Sequence, residues 1–308
     1  MINIIQKRNI WLSFSGILVA ASITMLAMWG LNFGIDFTGG SLLELKFLNE
    51  RPAVNDIQQS VADLNLGSLI VQPIDEQNVI LRFQETSEEK HQEILKRLNN
   101  IGIKEEVTEN DVNGFENIEE LRFDSVGPTI GQELKSKSMS AAIIVLIAIV
   151  LYIAWTFRKV SKPVESWKYG ISAIIALFHD IIITLGVFAF IGQHMSIELN
   201  TAFVAAMLMI LGYSVNDTIV VFDRIRENLP KSDEDFENTV NTSVNQTIKR
   251  SINTSVTTLL VLLSILFFGG ATIRDFVIAL SAGVLIGTYS SIFLASPVLV
   301  LWEKFGKK

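Results

Sequence analysis

The run Gly212-Tyr-Ser-Val-Asn-Asp217-Thr-Ile-Val-Val-Phe-Asp223-Arg224-Ile-Arg226-Glu227 places the carboxylate of Asp217 inside an apolar stretch. Asp180 interrupts the preceding apolar stretch in the same way. A charged side chain at membrane depth costs about 2.5–3.5 kcal/mol on insertion scales. Two such carboxylates on neighbouring stretches need compensating partners, so the pattern predicts a membrane protein that handles protons or ions.

The composition agrees with a membrane protein. Of the 308 residues, 49% are hydrophobic and only 19% are charged, and the mean hydropathy is +0.41, which is too apolar for an ordinary soluble domain. Six apolar stretches reach the roughly 20 residues that a spanning helix requires. They are 9–35, 138–157, 169–197, 199–222, 251–273 and 276–302. The predicted fold class is therefore a polytopic α-helical membrane protein with six transmembrane helices.

Several chemistries are excluded by residues that the sequence lacks. The chain contains no cysteine, which removes disulfides, thiol catalysis and cysteine-based metal sites. It also contains no Gly-x-x-x-x-Gly-Lys phosphate-binding loop, so energy for transport must come from elsewhere. The apolar run after Lys7 and Arg8 continues to Ile35, which favours an uncleaved first span over a signal peptide. We expect no cofactor, no metal and no enzymatic activity.

Lysine and arginine are concentrated on one side of the predicted spans. If the N-terminus is cytoplasmic, the short outer loops hold only Arg274. The inner segments then hold Lys7, Arg8, Arg158, Lys159, Lys162, Lys168, Arg224, Arg226, Lys231, Lys249, Arg250, Lys304, Lys307 and Lys308. This bias predicts cytoplasmic termini and a translocated segment 36–137. The polar segment 228–249 is predicted to be a cytoplasmic loop with some helical character.

Segment 36–137 has the pattern of a small α+β domain. It contains 20 acidic and 10 basic residues, a net charge of −10, which argues against nucleic acid as a partner. Period-two alternation predicts strands at 41–48, 68–74, 78–83 and 115–126, and helical spacing predicts helices at 54–64 and 87–98. The order β-α-β-β-α-β predicts an extracytoplasmic ferredoxin-like domain at 36–137. It is preceded by segment 1–35, which contains the first span, and followed by segment 138–308, which contains the other five.

This predicted domain lacks a catalytic constellation, so we interpret it as a binding or mechanical element. His91 falls on a polar helix face and is expected to be solvated. The glycine-rich turn Gly34-Ile-Asp36-Phe-Thr-Gly39-Gly40 closes the first span. Such a turn serves as a structural hinge or as a coupling point between membrane and outer domain, because glycine tolerates the dihedral changes of a moving linker. The pattern leaves these two interpretations open.

Three features within the spans are candidates for proton transfer. The adjacent residues His179 and Asp180 form a proton wire or a packing hydrogen bond, and neighbours on a helix point about 100° apart. Asp217 follows the polar stripe that includes Asn216, which offers hydrogen bonds to a carboxyl, although a structural salt bridge would also explain it. Arg250, at the start of the fifth span, is a positive-inside anchor or a partner for a carboxylate on the next helix.

The motifs that carry these residues follow one another through nearly the whole chain. They are Gly34-Ile-Asp-Phe-Thr-Gly-Gly40, Phe178-His-Asp180, Tyr213-Ser-Val-Asn-Asp-Thr218, Phe222-Asp-Arg-Ile-Arg-Glu227 and Arg250-Ser-Ile-Asn-Thr-Ser255. In this order and topology they resemble the SecD/SecF family of bacterial protein translocase subunits, within the resistance-nodulation-division superfamily.

The resemblance implies a fold, a function and partners. It implies a six-span bundle with an outer ferredoxin-like domain in the bacterial inner membrane, and use of the proton-motive force to help move secreted polypeptides. Asp217 would be the transmembrane carboxyl of the proton path, and Arg250 its charged neighbour. The implied partners are a separate SecD chain, the SecYEG translocon, YajC, the unfolded polypeptide and membrane lipid.

Three other classes of protein remain for comparison. An intramembrane aspartyl protease has its second aspartate in a Gly-x-Gly-Asp context, whereas Asp217 follows Ser214-Val-Asn216. A small-molecule or lipid exporter of the same superfamily would need more outer structure than the short loops supply. A structural scaffold would tolerate neutralisation of both carboxyls. The sequence does not distinguish H⁺ from Na⁺ as the coupling ion.

Overall fold

The computed structural model describes residues 1–101, 117–158, 165–195, 197–270 and 273–306. The chain divides into two compact units. A helical unit comprises Met1–Asn32 and Ser138–Lys308, and a sheet unit comprises Phe33–Lys137.

The described elements are, in chain order, α1 (Arg8–Trp29), α2 (Ile35–Thr38), β1 (Gly40–Phe47), α3 (Val54–Ser60), β2 (Ile70–Pro73), β3 (Asn78–Phe83), α4 (Glu88–Asn99), β4 (Ile118–Val126), α5 (Pro128–Thr156), α6 (Ser166–Met195), α7 (Thr201–Asn228), α8 (Phe236–Phe268), α9 (Arg274–Ser290) and α10 (Ser296–Gly306). A π-helical turn, Ser291–Ala295, joins α9 to α10. Within the described ranges six helices are long and apolar enough to cross a membrane, which confirms the predicted number of spans.

The sheet unit contains a four-stranded antiparallel sheet with the strand order β2-β3-β1-β4. Burial alternates along β3, where Val79, Leu81 and Phe83 are buried and the residues between them are only partly so. These side chains pack with Ile57 of α3 and Ile94 of α4 in one apolar core. The predicted last strand began at Phe115, which lies outside the described residues.

His91 is buried rather than solvated, so the expectation for this residue was wrong. Only 3% of it is exposed, and its ring stacks on Phe123 with 3.7 Å between ring centroids. The cause is helical spacing, because His91, Ile94 and Leu98 lie three and four residues apart and share the core face of α4. Its Nδ1 lies 3.2 Å from Glu88, whose pKa is held below its usual range by hydrogen bonds from Gln92 and His91.

Small residues bring the spans of the helical unit into close contact. A β-carbon added to Gly186 of α6 would lie 2.6 Å from the Cα of Ser22 on α1. One added to Gly283 of α9 would lie 2.7 Å from Cγ2 of Ile210 on α7. Gly186 thus permits the backbones of α1 and α6 to approach closely, and Gly283 leaves room for the side chain of Ile210. These two glycines therefore set how closely α6 packs on α1 and α9 packs on α7.

The fifth long helix begins before the predicted span. α8 starts at Phe236, where Asp235 accepts a hydrogen bond from the Asn238 N–H at 2.9 Å, so most of the predicted loop 228–249 is helical. Its small polar residues suggested a loop by composition. Several of them, including Thr239 and Ser243, nevertheless recur at helical spacing and are buried. Helical period, rather than polarity, decides the structure here.

The first turns of α8 hold both ends of the chain. The carboxamide oxygen of Asn241 accepts hydrogen bonds from the backbone N–H groups of Ile4 and Ile5, at 3.0 and 3.2 Å. Glu237 forms ion pairs of 2.6 Å with Arg8 and with Lys304. These contacts anchor the N-terminal segment and the last turn of α10 on one helix.

Candidate functional site

Asp180 lies at the centre of the helical unit and is fully buried. Its Oδ1 is 2.9 Å from Nδ1 of His179. Its Oδ2 accepts hydrogen bonds from the hydroxyls of Ser214 on α7 and Ser290 on α9, the latter at 2.8 Å. Three partners on three helices thus compensate the burial of this carboxyl, which is what a polar group in a dry environment requires.

His179 joins this site to the first span. The imidazole is 4% exposed, and its ring lies 6.1 Å from the ring of Tyr289 in a stacked orientation. The Tyr289 hydroxyl donates to the backbone oxygen of Trp11 at 3.2 Å and lies 3.1 Å from Oγ of Ser15. Nε2 of His179 is buried and has no hydrogen-bond partner among the described residues. The structure thus brings the predicted pair His179 and Asp180 into direct contact.

Asp217 forms a second centre on α7 and is partly buried. Its Oδ1 accepts a hydrogen bond of 2.6 Å from Ser251 on α8, and its Oδ2 accepts one from Ser291 in the π-helical turn. Within the described ranges, no lysine or arginine forms an ion pair with Asp217 or Asp180. Hydroxyl groups, rather than a salt bridge, therefore hold this carboxyl in the structure.

Two of the predicted site residues lie at the edge of this centre. Arg250 is exposed, and in the described part of the chain it forms no ion pair with Asp217. It directly precedes Ser251, which does contact Asp217. Asn216 is exposed on α7 beside the carboxyl. The structure accordingly brings Asp217 together with serines, and places Arg250 and Asn216 at an accessible face.

Two functional residues were not identified from the sequence. Ser290 and Ser291 are consecutive, yet the first contacts Asp180 and the second contacts Asp217. They stand where α9 becomes the π-helical turn, a deviation found frequently at functional sites. The polar group Tyr289-Ser-Ser291 within the last apolar stretch was the available signal.

The predicted hinge residues all belong to the sheet unit and are not part of the aspartate site. Asp36 lies in the short helix α2, and Gly34 precedes it. Gly39 and Gly40 have φ values of +75° and +122°. An added β-carbon would lie 2.8 Å from Cα of Pro128 at the first position and 2.9 Å from the Phe83 oxygen at the second. Glycine is therefore required here for conformation and for close packing.

The fold and site define a class of protein: a multi-pass α-helical membrane protein with two hydroxyl-bound carboxyls inside its spans. Comparison with known proteins identifies the family within this class. The family described as protein export membrane protein SecD/SecF, C-terminal, matches residues 104–305, and the SecD/SecF GG motif matches residues 30–47. The chain therefore belongs to the SecD/SecF family.

Relatives that match nearly the whole chain include proteins named protein translocase subunit SecF. Protein translocase subunit SecF of Thermobaculum terrenum is 40% identical over 98% of this chain and 94% of the relative. The corresponding protein of Anaerolinea thermophila is 37% identical over 98% and 94%.

A similar solved structure is SecDF of Thermus thermophilus, with a TM-score of 0.81 and 31% identity over 98% of this chain. The chain spans only 39% of that longer SecDF polypeptide. A super-membrane-facing form of SecDF matches with a TM-score of 0.67.

Proposed function

We propose that this chain is a SecF-type accessory subunit of the Sec preprotein translocase, and that it uses the proton-motive force to help move unfolded polypeptides across the plasma membrane. Membership of the family supports the translocase assignment. The observation that supports the energy coupling is the pair of membrane carboxyls, Asp180 and Asp217, each held by serine hydroxyls and without a lysine or arginine partner among the described residues.

Hydroxyl partners suit a carboxyl that must gain and lose a proton. A hydroxyl donates to the ionised carboxylate and can accept from the protonated carboxyl, so both forms keep a hydrogen bond. A fixed lysine or arginine would instead favour the ionised form alone. Moving one charge through the membrane field is worth about 2.3 kcal/mol per 100 mV, enough to bias a conformational equilibrium.

Within this proposal Asp217 carries the proton and Asp180 supports it. Asp217 is partly exposed, so a proton can reach it, whereas Asp180 is enclosed by three partners. His179 and Asn216 extend the polar path on either side. Arg250 becomes the charged neighbour of Asp217 only after a movement of α8, for which the resemblance to the family is the support.

We propose SecD as the membrane partner. Two similar solved structures are SecDF chains, of which this chain covers 39%. Asn216 on α7 and Asn253 on α8 are exposed on this chain although they lie in candidate spans. An amide facing lipid is unfavourable, so these side chains are better accommodated against another helix. We also propose the SecYEG translocon and YajC as partners. Membrane lipid would contact apolar faces such as the one that includes Ile147 of α5.

Reconstituted vesicles would test the function. We would incorporate the chain with SecD, SecYEG and the ATP-driven motor of secretion, impose a proton gradient, and follow protection of a secreted polypeptide from protease. We expect stimulation that requires this chain and disappears with a protonophore. Replacing the gradient with one of Na⁺ identifies the coupling ion. An exporter of small molecules or a scaffold predicts translocation that the gradient does not alter.

The proposed orientation places both termini in the cytoplasm and the sheet unit outside. The natural chain has no cysteine, so single cysteines can be introduced without background. With Gln77→Cys in the β2–β3 turn, we expect labelling by an impermeant maleimide from outside. With Lys231→Cys after α7, we expect labelling only after the membrane is permeabilised. The reverse pattern would refute the orientation.

We propose that the sheet unit is ferredoxin-like and binds unfolded polypeptide at the edge strand β2. The β-α-β-β-α-β order and the antiparallel sheet support the classification. β2 pairs only with β3 among the described strands, and Ile70 and Ile74 beside that edge are 56% and 47% exposed. An extended chain can add to such an edge through backbone hydrogen bonds.

A photoreactive amino acid would locate this binding. Placed at Ile70, it should crosslink to a polypeptide arrested during translocation, because the apolar edge lies beside the added strand. Placed at the exposed residue Glu89 on α4, it should crosslink far less. Equal yields at the two positions would show that β2 is not the docking edge.

A further inference from the structure

Ser290 and Ser291 each have a choice of two acceptors. Ser290 Oγ lies 2.8 Å from Asp180 Oδ2 and 3.1 Å from the backbone oxygen of Gly287. Ser291 Oγ contacts Asp217 Oδ2 and lies 3.1 Å from the backbone oxygen of Thr288. Both serines have no exposed surface, so water does not offer a third choice.

The state of each aspartate decides which acceptor its serine uses. A serine hydroxyl has one proton to donate. When the carboxyl is ionised, the serine donates to it. When the carboxyl is protonated and donates to Oγ, the serine proton must turn to the backbone carbonyl one turn earlier. The protonation state of each aspartate therefore decides whether its serine donates to a backbone carbonyl of α9. The two carbonyls, of Gly287 and Thr288, are adjacent in one stretch of this helix.

That stretch is where the helix changes its period. The π-helical turn Ser291–Ala295 begins at the second serine, and single π-helical turns inside α-helices occur frequently at functional sites. Gly287, one turn earlier, packs so close to Ser214 that an added β-carbon would lie 3.0 Å from Ser214 Cβ. Ser214 is itself a donor to Asp180. A small shift of this turn thus alters the hydrogen bonds of both carboxyls together.

We propose that Ser290 and Ser291 are positioning residues that couple the protonation of Asp180 to that of Asp217. The coupling rests on the proposed function, because it concerns the same carboxyls. The bistable element is the junction of α9 and the π-helical turn, which both carboxyls bias. Protonation of Asp217 releases Ser291, the turn relaxes, and the donor supplied by Ser290 to Asp180 changes in strength.

Other titratable groups near the two carboxyls are few. α6 presents His179 to Asp180, and α9 presents Tyr289 to His179. On α7, Tyr213 lies 3.2 Å from Ser255 of α8. In the ranges that the structure describes, α1 presents Ser15 and the backbone of Trp11 to Tyr289, and no lysine or arginine pairs with either aspartate. Ser290 and Ser291 are adjacent in the chain and contact one aspartate each, so a single peptide bond connects the two centres through them.

Infrared titration of the full-length protein in lipid vesicles tests the coupling without any translocation assay. The carbonyl band of each protonated carboxyl would be assigned with Asp180→Asn and Asp217→Asn. Ser291→Ala should move the titration midpoint of Asp217 by about one pH unit, the size of one lost hydrogen bond. The decisive variant is Ser290→Ala, which removes no contact with Asp217. It should still move the Asp217 midpoint, by about half a pH unit.

Ser296→Ala is the matched control. Ser296 is equally buried in the same span, and its hydroxyl has no hydrogen-bond partner among the described residues. Its removal should leave both midpoints unchanged. If Ser290→Ala does not fold, Ser290→Cys keeps the volume with a weaker donor and should move the Asp217 midpoint in the same direction. An Asp217 midpoint that is the same in Ser290→Cys, Ser290→Ala and Ser296→Ala would overturn the coupling, whatever the vesicles show about transport.

Discussion

Asp217→Asn should abolish the stimulation of polypeptide translocation by a proton gradient. The asparagine keeps the size of the side chain and an oxygen for the hydrogen bond from Ser251, which is 2.6 Å long in the native protein. Its amide group can donate to Ser291, whose hydroxyl then turns to the carbonyl of Thr288. The variant therefore resembles the permanently protonated state. It should insert, bind SecD and support ATP-driven translocation. It should lose only the additional translocation that the proton gradient produces.

Asp223→Asn is the control on the same helix. Asp223 pairs with Arg226 one turn away near the end of α7, and both side chains are substantially exposed. A surface pair of this kind contributes about 0–1 kcal/mol, so the variant should keep full stimulation. Stimulation that survives Asp217→Asn would show that this carboxyl is a structural group and that the proton path lies elsewhere.

Asp180→Asn should reduce stimulation less and destabilise the protein more. Oδ2 of Asp180 accepts hydrogen bonds from both Ser214 and Ser290. An asparagine that keeps its oxygen toward the two serines turns its amide toward Nδ1 of His179. That nitrogen can accept only when the imidazole proton is on Nε2, which is buried and has no partner among the described residues. An unsatisfied buried polar group costs about 1–3 kcal/mol. Thermal unfolding in detergent should therefore separate Asp180→Asn from Asp217→Asn, with the larger loss of stability at Asp180.

The number of spans was predictable because it depends on local composition. A run of about 20 apolar residues is sufficient information for a spanning helix, and all six runs became helices of the expected kind. Strand positions were predictable for a similar reason, since the alternation of Val79, Leu81 and Phe83 is visible in the sequence. Where composition and period disagreed, as at Thr239 and Ser243 in α8, the sequence predicted a loop with only some helical character, and the structure is helical from Phe236 onward.

The partners of the aspartates were not predictable from local pattern. Ser290 lies 110 positions from Asp180, and Ser291 lies 74 positions from Asp217. A serine or threonine within an apolar span usually bonds to a carbonyl of its own helix, as Thr254 does with Arg250. Only the packing of α9 between α6 and α7 turns two consecutive serines toward different carboxyls. His91 illustrates the same limit in the sheet unit, because its stacking partner Phe123 belongs to a distant strand.

The second large effect is expected at the contact between the first and third spans, where Gly186→Ala should disrupt the bundle. The new β-carbon would lie 2.6 Å from the Cα of Ser22, and a backbone atom cannot move aside as a side chain can. Overpacking of a core typically costs about 1–3 kcal/mol, and displacement of a whole helix places this variant at or above the upper end. α1 would separate from α6. The contacts of Tyr289 with Trp11 and Ser15 on α1 would then be lost as well.

Gly170→Ala, on the same helix, provides the comparison. A β-carbon there meets only Cγ2 of Ile153 at 3.9 Å, an ordinary contact. Alanine is favoured over glycine in a helix interior by about 1 kcal/mol, so this variant should be as stable as the native protein or more so. Thermal unfolding of both variants in detergent would measure the difference. Adding Ser22→Gly to Gly186→Ala removes the opposing β-carbon but not the Cα, and should restore stability only in part. Equal stability of Gly186→Ala and Gly170→Ala would mean that α1 does not depend on this close crossing.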